Sequence, residues 1–298
     1  MKIVARITSG IGNQMFQYAF GRYLSQLFNC PLELDTSWFD YFQFHEVKRR
    51  FRLNSLDISC NAEFSSGTKR WVLGALTINQ PKVRTLARHI LPRVGMHPYF
   101  ENQPYHTTGY PVTIPVKPSC HSLFTIGYWQ TAIPFLKVRK QICNEFKPLN
   151  SISEAAQNWL DLILTTNSVF LHVRRGDYAN LGAHMLPVSY YEKAVSKIFE
   201  TCPANPEWFI FSDDLDWCKK HFHFLEKPYY VEYTSANADI EDLWLMRSAK
   251  AGIMANSSFS WWASALGPKS RTIITPRYWW GIEGSNFPAL RIPTWQAV

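Results

Sequence analysis

The residue pattern best suited to chemistry is HVRRGDY at 172–178. It ends an apolar stretch whose length predicts a buried β-strand, and alternate side chains of a strand face the same side. His172 and Arg174 are therefore expected to point together, with Arg175 at the mouth of the strand. A guanidinium there can hold a phosphate group through two parallel hydrogen bonds, which a lysine cannot do. A structural ion pair beside a core histidine is the simpler interpretation, but two adjacent arginines favour an anion-binding site.

A second stretch suited to anions is Asn-Ser-Ser at 256–258, where a predicted strand ends and a predicted helix begins. Its side chains can cap the helix in any case. The free backbone N–H groups and the dipole of the helix would in addition attract phosphate. Trp261 and Trp262, which follow within the same helix, are expected in the core.

An acidic cluster, Asp213, Asp214 and Asp216, follows the next predicted strand. Carboxylates at such a position can bind Mg²⁺ or Mn²⁺. The simpler interpretation is that acids at the start of a helix interact favourably with its dipole. None of the six cysteines forms a C-x-x-C pair, so a zinc site is not expected.

Hydrophobic periodicity predicts the elements that must position these residues. The chain opens as strand, glycine loop, helix and strand, although the loop at 10–14 is not a G-x-G-x-x-G fingerprint. The second half alternates strands and helices from a capping-box pattern at 151–154 onwards. This alternation predicts an α/β fold with two domains, 1–147 and 148–298. Ligands of parallel sheets bind beyond the carboxyl ends of the strands, where the polar segments lie.

The composition is that of a globular protein, with 298 residues, 46% hydrophobic and 18% charged. A formal charge of +8 indicates an anionic partner: nucleic acid, an acidic membrane surface or a phosphorylated substrate. No nucleic-acid-binding motif accompanies the charge, so nucleic acid is not an expected partner. No apolar stretch reaches membrane-spanning length. The expected location is cytoplasmic, with peripheral contact to the cytoplasmic face of the inner membrane as an option.

Taken together, these motifs resemble those of the α-1,2-fucosyltransferase family, in particular its bacterial members of the glycosyltransferase family 11 type. The resemblance covers nearly the whole chain in order and spacing. It has two departures: Ser9, where the family usually has glycine, and Ala249-Lys250, where relatives often have cysteine. The matching segments are 12–19, 127–130, 172–178, 211–214, 242–246 and 255–262.

The resemblance implies a GT-B-like fold, with two Rossmann-type domains facing across a cleft. It implies inverting transfer of L-fucose from GDP-β-L-fucose to the 2-hydroxyl of a terminal galactose, without metal or cofactor. The second domain would bind GDP-fucose and the first would contact the acceptor, a galactose-terminated oligosaccharide or lipid-linked glycan. Such bacterial enzymes decorate surface polysaccharides such as O-antigen.

We expect Arg175, assisted by Arg174, to neutralise the charge that develops on the β-phosphate. Asp177 is the first candidate for the catalytic base, His184 is the second, and Asn13 positions the acceptor. The expected donor-binding residues are His172, Arg174, Arg175, Asp213, Asn256, Ser257, Ser258, Phe259 and Gly12. The expected acceptor-binding residues are Gln14, His184, Tyr128 and Trp129.

Two other functions remain open from the sequence. One is a metal-dependent transferase of another nucleotide sugar that uses Asp214 and Asp216 as ligands. The other is a catalytically silent protein that binds a GDP-sugar or a glycan. Activity in a chelator would exclude the first, and transfer to any galactoside would exclude the second.

Overall fold

The computed structural model describes residues 1–41, 48–60, 81–101, 121–176, 185–201, 205–279 and 288–298. Among these, every residue up to Lys147 belongs to one compact unit, and every residue from Pro148 onwards belongs to another. No helix in these ranges is both long and apolar enough to cross a membrane.

Unit 1 is built on a parallel sheet of four strands in the order β2-β1-β4-β3. Short 3₁₀ turns lie at Leu53–Ser55 and Leu91–Val94. The strands are β1 (Lys2–Arg6), β2 (Leu32–Asp35), β3 (Met96–Phe100) and β4 (Ser122–Ile126), and the helices are α1 (Ile11–Phe28), α2 (Trp38–Tyr41), α3 (Pro81–Ile90) and α4 (Ala132–Glu145).

Alternation along β1 places helices on both faces of this sheet. Ala5 lies under α1, where a Cβ on Gly21 would come within 3.0 Å of the Ala5 side chain, so only glycine allows this close approach. Val4 faces the other side and packs with Ala87 and Leu91, at the inner face of α3 and its C-terminal turn. The sheet is therefore buried on both faces, as parallel sheets are.

Unit 2 is built on a parallel sheet of six strands in the order β10-β9-β8-β5-β6-β7. A 3₁₀ turn lies at Pro288–Leu290. The strands are β5 (Ser168–Val173), β6 (Glu207–Ser212), β7 (Tyr229–Tyr230), β8 (Ala251–Ile253), β9 (Ile273–Thr275) and β10 (Gln296–Ala297), and the helices are α5 (Glu154–Thr165), α6 (Val188–Thr201), α7 (Leu215–His221), α8 (Ala238–Ser248) and α9 (Ser258–Leu266).

Strand β5 lies inside this sheet, between β6 and β8, and all six of its residues are buried. Leu171 and Val173 pack with Tyr191 and Ala194 of α6 in the main core of the unit. Trp261 and Trp262 of α9 are fully buried, as the sequence predicts. The predicted α/β fold class, with parallel sheets covered by helices, is confirmed.

Helix α5 begins two residues later than the capping-box pattern at 151–154 predicts. Its N-cap is Ser153, whose side chain accepts a hydrogen bond from the backbone N–H of Ala156. The reciprocal partner is the distant Glu241 of α8, whose carboxylate accepts the Ser153 N–H at 2.8 Å and its hydroxyl at 3.0 Å. Because a residue 88 positions away supplies this contact, a local sequence pattern could not identify the cap.

Arg271 joins the C-terminal ends of α8 and α9. Its side chain is buried, and its guanidinium donates hydrogen bonds to backbone carbonyls that no helical N–H can satisfy. These carbonyls also carry the negative end of the helix dipole, which favours a cation there. The acceptors are the carbonyl oxygens of Met246, Arg247, Ala249, Ala263 and Ser264.

Replacing Arg271 by leucine is therefore expected to lower the free energy of unfolding by about 3 kcal/mol, because several buried carbonyls would lose a charged donor. Urea denaturation measures the change. Lys269→Ala, in the exposed turn nearby, is the matched control and should stay within about 0.5 kcal/mol of the parent protein. An Arg271→Leu protein as stable as the control would contradict this role.

Candidate active site

The two adjacent arginines lie at the carboxyl end of β5, each paired with an acid from the end of β6. Arg174 Nη1 is 2.8 Å from the Asp213 carboxylate, and Arg175 Nε is 2.9 Å from the Asp214 carboxylate. The Asp213 carboxylate also accepts the backbone N–H of Arg175 at 2.8 Å. The last residues of β5 and β6 lie opposite each other in the sheet, so the register brings the following residues together.

Arg175 is held from a second direction by Trp217 of α7. Its guanidinium carbon is 4.0 Å from the centroid of the tryptophan ring, a cation–π geometry. Asp214 is the N-cap of α7 and accepts the Trp217 N–H at 3.1 Å. Partial burial raises the pKa of Asp214, but the hydrogen bonds from Arg175 and Trp217 outweigh it and hold the pKa below its usual value. No local pattern in the sequence indicates Trp217, because the contact depends on how α7 begins.

Gly176 leaves the space that the Asp213 carboxylate occupies. A Cβ at this position would lie 2.5 Å from Asp213 Oδ2, far inside van der Waals contact. The sequence predicts only a turn here. The structure shows that the absence of a side chain also allows Asp213 to reach both arginines.

His172 is buried at the end of β5, with its ring centroid 5.7 Å from that of Phe259 in α9. The pKa of His172 is lowered to about 3, mainly by burial and also by nearby Arg174, while Asp213 acts in the opposite direction. The imidazole is therefore neutral at physiological pH. Its Nδ1 has no hydrogen-bond partner among the described residues, and a buried polar atom left in this state is a candidate for contact with a ligand.

The N-terminus of α9 lies beside His172, because β8, which leads into it, pairs with β5. Ser257 is the N-cap, and its Oγ accepts the N–H of Phe259 at 3.3 Å. Asn256 and Ser257 are buried, whereas Ser258 and Phe259 are partly exposed. Strands β5, β6 and β8 therefore bring together all the predicted donor-binding residues except Gly12, which is buried in α1 of unit 1.

A polar cluster occupies the corresponding edge of the sheet in unit 1. Asn13, in the first turn of α1, donates from Nδ2 to Ser9 Oγ at 3.0 Å and accepts from Gln130 Nε2 at 2.7 Å. Asn13 is partly exposed and its carboxamide has further hydrogen-bonding capacity. Ser9 has φ 66°, a left-handed conformation that favours glycine, at a position where the family usually has glycine.

Gln14 differs from its predicted role as an acceptor contact. It is fully buried, and Nε2 donates to the carbonyl oxygens of Ser9 and Arg50, both at 2.8 Å. Its Oε1 accepts the N–H of Arg52 at 2.9 Å. Both ends of the carboxamide are therefore used to fasten the chain near Arg50 to the start of α1.

Trp129 also differs from its predicted role, because it is buried in an aromatic stack. Its ring centroid is 4.0 Å from that of Phe20 and 5.4 Å from that of Tyr99. The Glu101 carboxylate accepts the backbone N–H groups of Tyr128 at 2.7 Å and of Trp129 at 3.0 Å, which fixes this turn. Tyr128 is partly exposed, and burial raises the pKa of its hydroxyl while a hydrogen bond with Ser9 lowers it.

The remaining predicted residues are the two candidates for the catalytic base and the two carboxylates of the metal alternative. Asp177 and His184 lie outside the described residues, so their roles stay predictions. Of the two carboxylates in the metal alternative, Asp214 pairs with Arg175, and Asp216 has a side chain 89% exposed, 3.8 Å from Lys219.

Asp242, in one of the segments that match the family pattern, has an unusual environment at the start of α8. Its Oδ1 accepts the hydroxyl of Tyr233 at 2.9 Å. The pKa of Asp242 is raised from 3.8 to about 7, mainly by burial and also by nearby Asp239 and Glu241, although the Tyr233 hydrogen bond lowers it. Below that pH the folded protein holds a proton that the unfolded chain releases near pH 4.

This pKa predicts a stability that falls as pH rises from 5 to 8, since the folded state binds more protons in that range. The free energy of unfolding should fall by about 2 kcal/mol more in the parent protein than in Asp242→Asn. Urea denaturation across this range measures the difference. Asp216→Asn is the control, because that side chain is exposed, and it should keep the parent's pH dependence. An identical slope in Asp242→Asn and the parent would refute the assignment.

Both units carry polar side chains at the carboxyl ends of parallel strands, where α/β proteins bind their ligands, and comparison with known proteins identifies the family. The chain belongs to glycosyl transferase family 11, whose sequence model matches residues 77–286. It is 33% identical over 292 residues to an α-1,2-colitosyltransferase of Escherichia coli, covering 95% of this chain and 94% of that protein. It is 27% identical over 316 residues to the O-antigen biosynthesis glycosyltransferase WbnK of the same species, covering 97% and 98%.

Among solved structures, the fold is similar to that of NodZ, an α-1,6-fucosyltransferase in a crystal soaked with GDP-fucose. The TM-score is 0.53 at 14% sequence identity, and the match covers 89% of this chain and 92% of the other. At that identity the likeness concerns the fold alone. The predicted family and the predicted GT-B-like fold class are both confirmed, and the chain is a glycosyltransferase.

Proposed function

We propose that the chain transfers L-fucose from GDP-β-L-fucose to the 2-hydroxyl of a terminal galactose on a glycan destined for O-antigen or a similar bacterial polysaccharide. The transfer inverts the anomeric configuration and needs no metal. The observation that carries this proposal is the pair of guanidinium groups, Arg174 and Arg175, fixed by acids at the edge of a parallel sheet.

The arginines would stabilise the leaving group. Breaking the bond between the sugar and GDP places additional negative charge on the β-phosphate, and a cation held in position stabilises that charge with little reorganisation. Asp213 and Asp214 engage only part of each guanidinium, which has five N–H donors. Each arginine can therefore keep its carboxylate and still donate to a phosphate oxygen.

His172 and the start of α9 would complete the donor site. The unpaired Nδ1 of the neutral imidazole can form a hydrogen bond with the nucleotide without adding charge. The first N–H groups of α9 beside it suit a phosphate. This division assigns the nucleotide to unit 2.

The acceptor would bind at the polar edge of unit 1. Asn13 and Tyr128 are partly exposed there, and Ser9 and Gln130 hold the Asn13 carboxamide in one orientation. Asp177 is our first candidate for the base that accepts the proton of the acceptor hydroxyl, and His184 is the second. An inverting transfer requires this base opposite the leaving group.

A second donor is favoured by one observation, the 33% identity to an α-1,2-colitosyltransferase. Colitose is L-fucose without the 3-hydroxyl, so one site could accept either sugar as its GDP derivative. A site that forms a hydrogen bond to the 3-hydroxyl would discriminate strongly against colitose, whereas one that packs against that carbon would not discriminate against it.

The test is a transfer assay with GDP-fucose and GDP-colitose on β-galactosides in EDTA, read by mass spectrometry with linkage analysis of the product. A 2-linked fucosyl galactoside supports the proposal, and preference for GDP-colitose supports the second donor. Loss of activity in EDTA that Mn²⁺ restores would favour the alternative with Asp214 and Asp216. GDP binding without transfer to any galactoside would favour a silent binding protein.

The proposal includes a location in the bacterial cytoplasm, where GDP-sugars are the donors. Lipid-linked acceptors would bring the chain to the cytoplasmic face of the inner membrane. The basic net charge of +8 is consistent with this location, because that face is anionic.

A further inference from the structure

Helix α3 of unit 1 has two faces of opposite character. Ala87 and Leu91 point inward and are buried against Val4 and Phe124 of the sheet. The opposite face is exposed. It carries Lys82, Leu86, His89 and, in the turn that follows, Arg93.

The charge on this segment has one sign. Residues 81–100 contain Lys82, Arg84, Arg88 and Arg93 and no Asp or Glu. Within the described parts of the chain, none of these four cations is in an ion pair. The guanidinium carbons of Arg84 and Arg88 each lie 5.4 Å from the centroid of the Phe100 ring, which holds both at the flank of the helix.

An apolar side chain lies in the middle of the cationic face. Leu86 is 51% exposed, one helical turn after Lys82 and just before Arg88 and His89. A helix with cations around an exposed leucine is suited to the interface of an anionic bilayer, where the cations meet headgroups and the apolar side chain enters the acyl boundary. A nucleic-acid surface would use the cations but would give Leu86 no apolar environment.

From these observations we propose that α3 and the turn to Arg93 form a docking surface for an anionic lipid bilayer. The face carries Lys82, Leu86, His89 and Arg93, with Arg88 exposed at its flank. Each cation near an anionic leaflet strengthens binding about fivefold, and the three cations Lys82, Arg88 and Arg93 together raise the affinity on the order of 10². None of its residues is among those assigned to transfer, so it can be tested without the reaction.

The experiment is co-sedimentation of the full chain with vesicles of phosphatidylglycerol and phosphatidylcholine, compared with pure phosphatidylcholine. The protein should bind the anionic vesicles at least tenfold more strongly, and the triple variant Lys82→Gln, Arg88→Gln and Arg93→Gln should lose about 10²-fold of that affinity. The matched control replaces three exposed lysines of unit 2 by glutamine, which changes the net charge equally: Lys193, Lys250 and Lys269. It should retain most of the binding.

Leu86→Ser separates a bilayer from other anionic partners. It should weaken binding to anionic vesicles several-fold, while binding to a duplex DNA fragment, if any occurs, should not change. Equal binding of parent and triple variant to anionic vesicles would overturn the proposal. So would equal losses in the two triple variants, or binding to DNA but not to vesicles. Thermal melting of each variant checks that the loss does not come from unfolding.

Discussion

Arg175→Ala is expected to lower the rate of sugar transfer on the order of 10²-fold, which corresponds to about 3 kcal/mol in the barrier. The guanidinium lies at the carboxyl edge of β5, between the Asp214 carboxylate and the Trp217 ring. Its effect should appear in kcat, because the charge that it stabilises is largest in the transition state. Steady-state kinetics with GDP-fucose and a β-galactoside measure the change.

Two further variants separate this role from a structural ion pair. Asp214→Asn removes the pair but keeps the guanidinium, and transfer should stay within about tenfold of the parent because partly exposed pairs contribute little. Arg175→Lys keeps the charge but loses the planar donor array, and its rate should fall between the parent and Arg175→Ala. If Asp214→Asn is as inactive as Arg175→Ala, the pair is structural and the assigned role is wrong.

Asn13→Ala is expected to lower transfer by about 10- to 100-fold while the affinity for GDP stays unchanged. The carboxamide is held by Ser9 and Gln130, which is the arrangement expected of a group that positions a sugar hydroxyl. GDP should bind normally because the proposed nucleotide site lies in unit 2. Transfer kinetics and calorimetry of GDP binding on the same preparation measure the two quantities.

Ser9→Gly is the matched variant for this prediction. It removes the hydroxyl that accepts a hydrogen bond from Asn13 but leaves the carboxamide in place. Glycine adopts φ 66° without steric cost. We therefore expect a smaller loss of transfer than in Asn13→Ala and no loss of stability. A drop in GDP affinity in Asn13→Ala would show that the residue serves the donor, contrary to the assignment.

The clustering of the residues proposed to bind the donor could be predicted from the sequence, for a geometric reason. Parallel strands end at one edge of the sheet, so polar residues after β5, β6 and β8 must meet there. The register then places Arg174 beside Asp213 and Arg175 beside Asp214. The ion pairs were the simpler interpretation of the sequence, and their presence is compatible with an anion site.

The environments of the residues predicted to contact the acceptor were harder to predict, because their hydrogen-bond and packing partners come from distant parts of the chain. Gln14 follows Asn13 directly in α1, yet its carboxamide forms hydrogen bonds with the backbone groups of Arg50 and Arg52. Trp129 is likewise buried, with its ring stacked on that of Phe20. Neighbouring residues such as Asn13 and Gln14, or Tyr128 and Trp129, therefore differ in exposure according to the side of the helix or turn on which they lie. No local sequence pattern specifies that side.

The central claim is that fixed guanidinium groups, without a divalent ion, hold the diphosphate of the donor. Calorimetry in EDTA, comparing GDP with GMP, tests it most directly in the parent and in the double variant Arg174→Ala, Arg175→Ala. The account predicts that the parent binds GDP at least tenfold more tightly than GMP and that the double variant loses this preference. A preference that survives in a folded double variant, or one that appears in the parent only when Mn²⁺ is added, would contradict it.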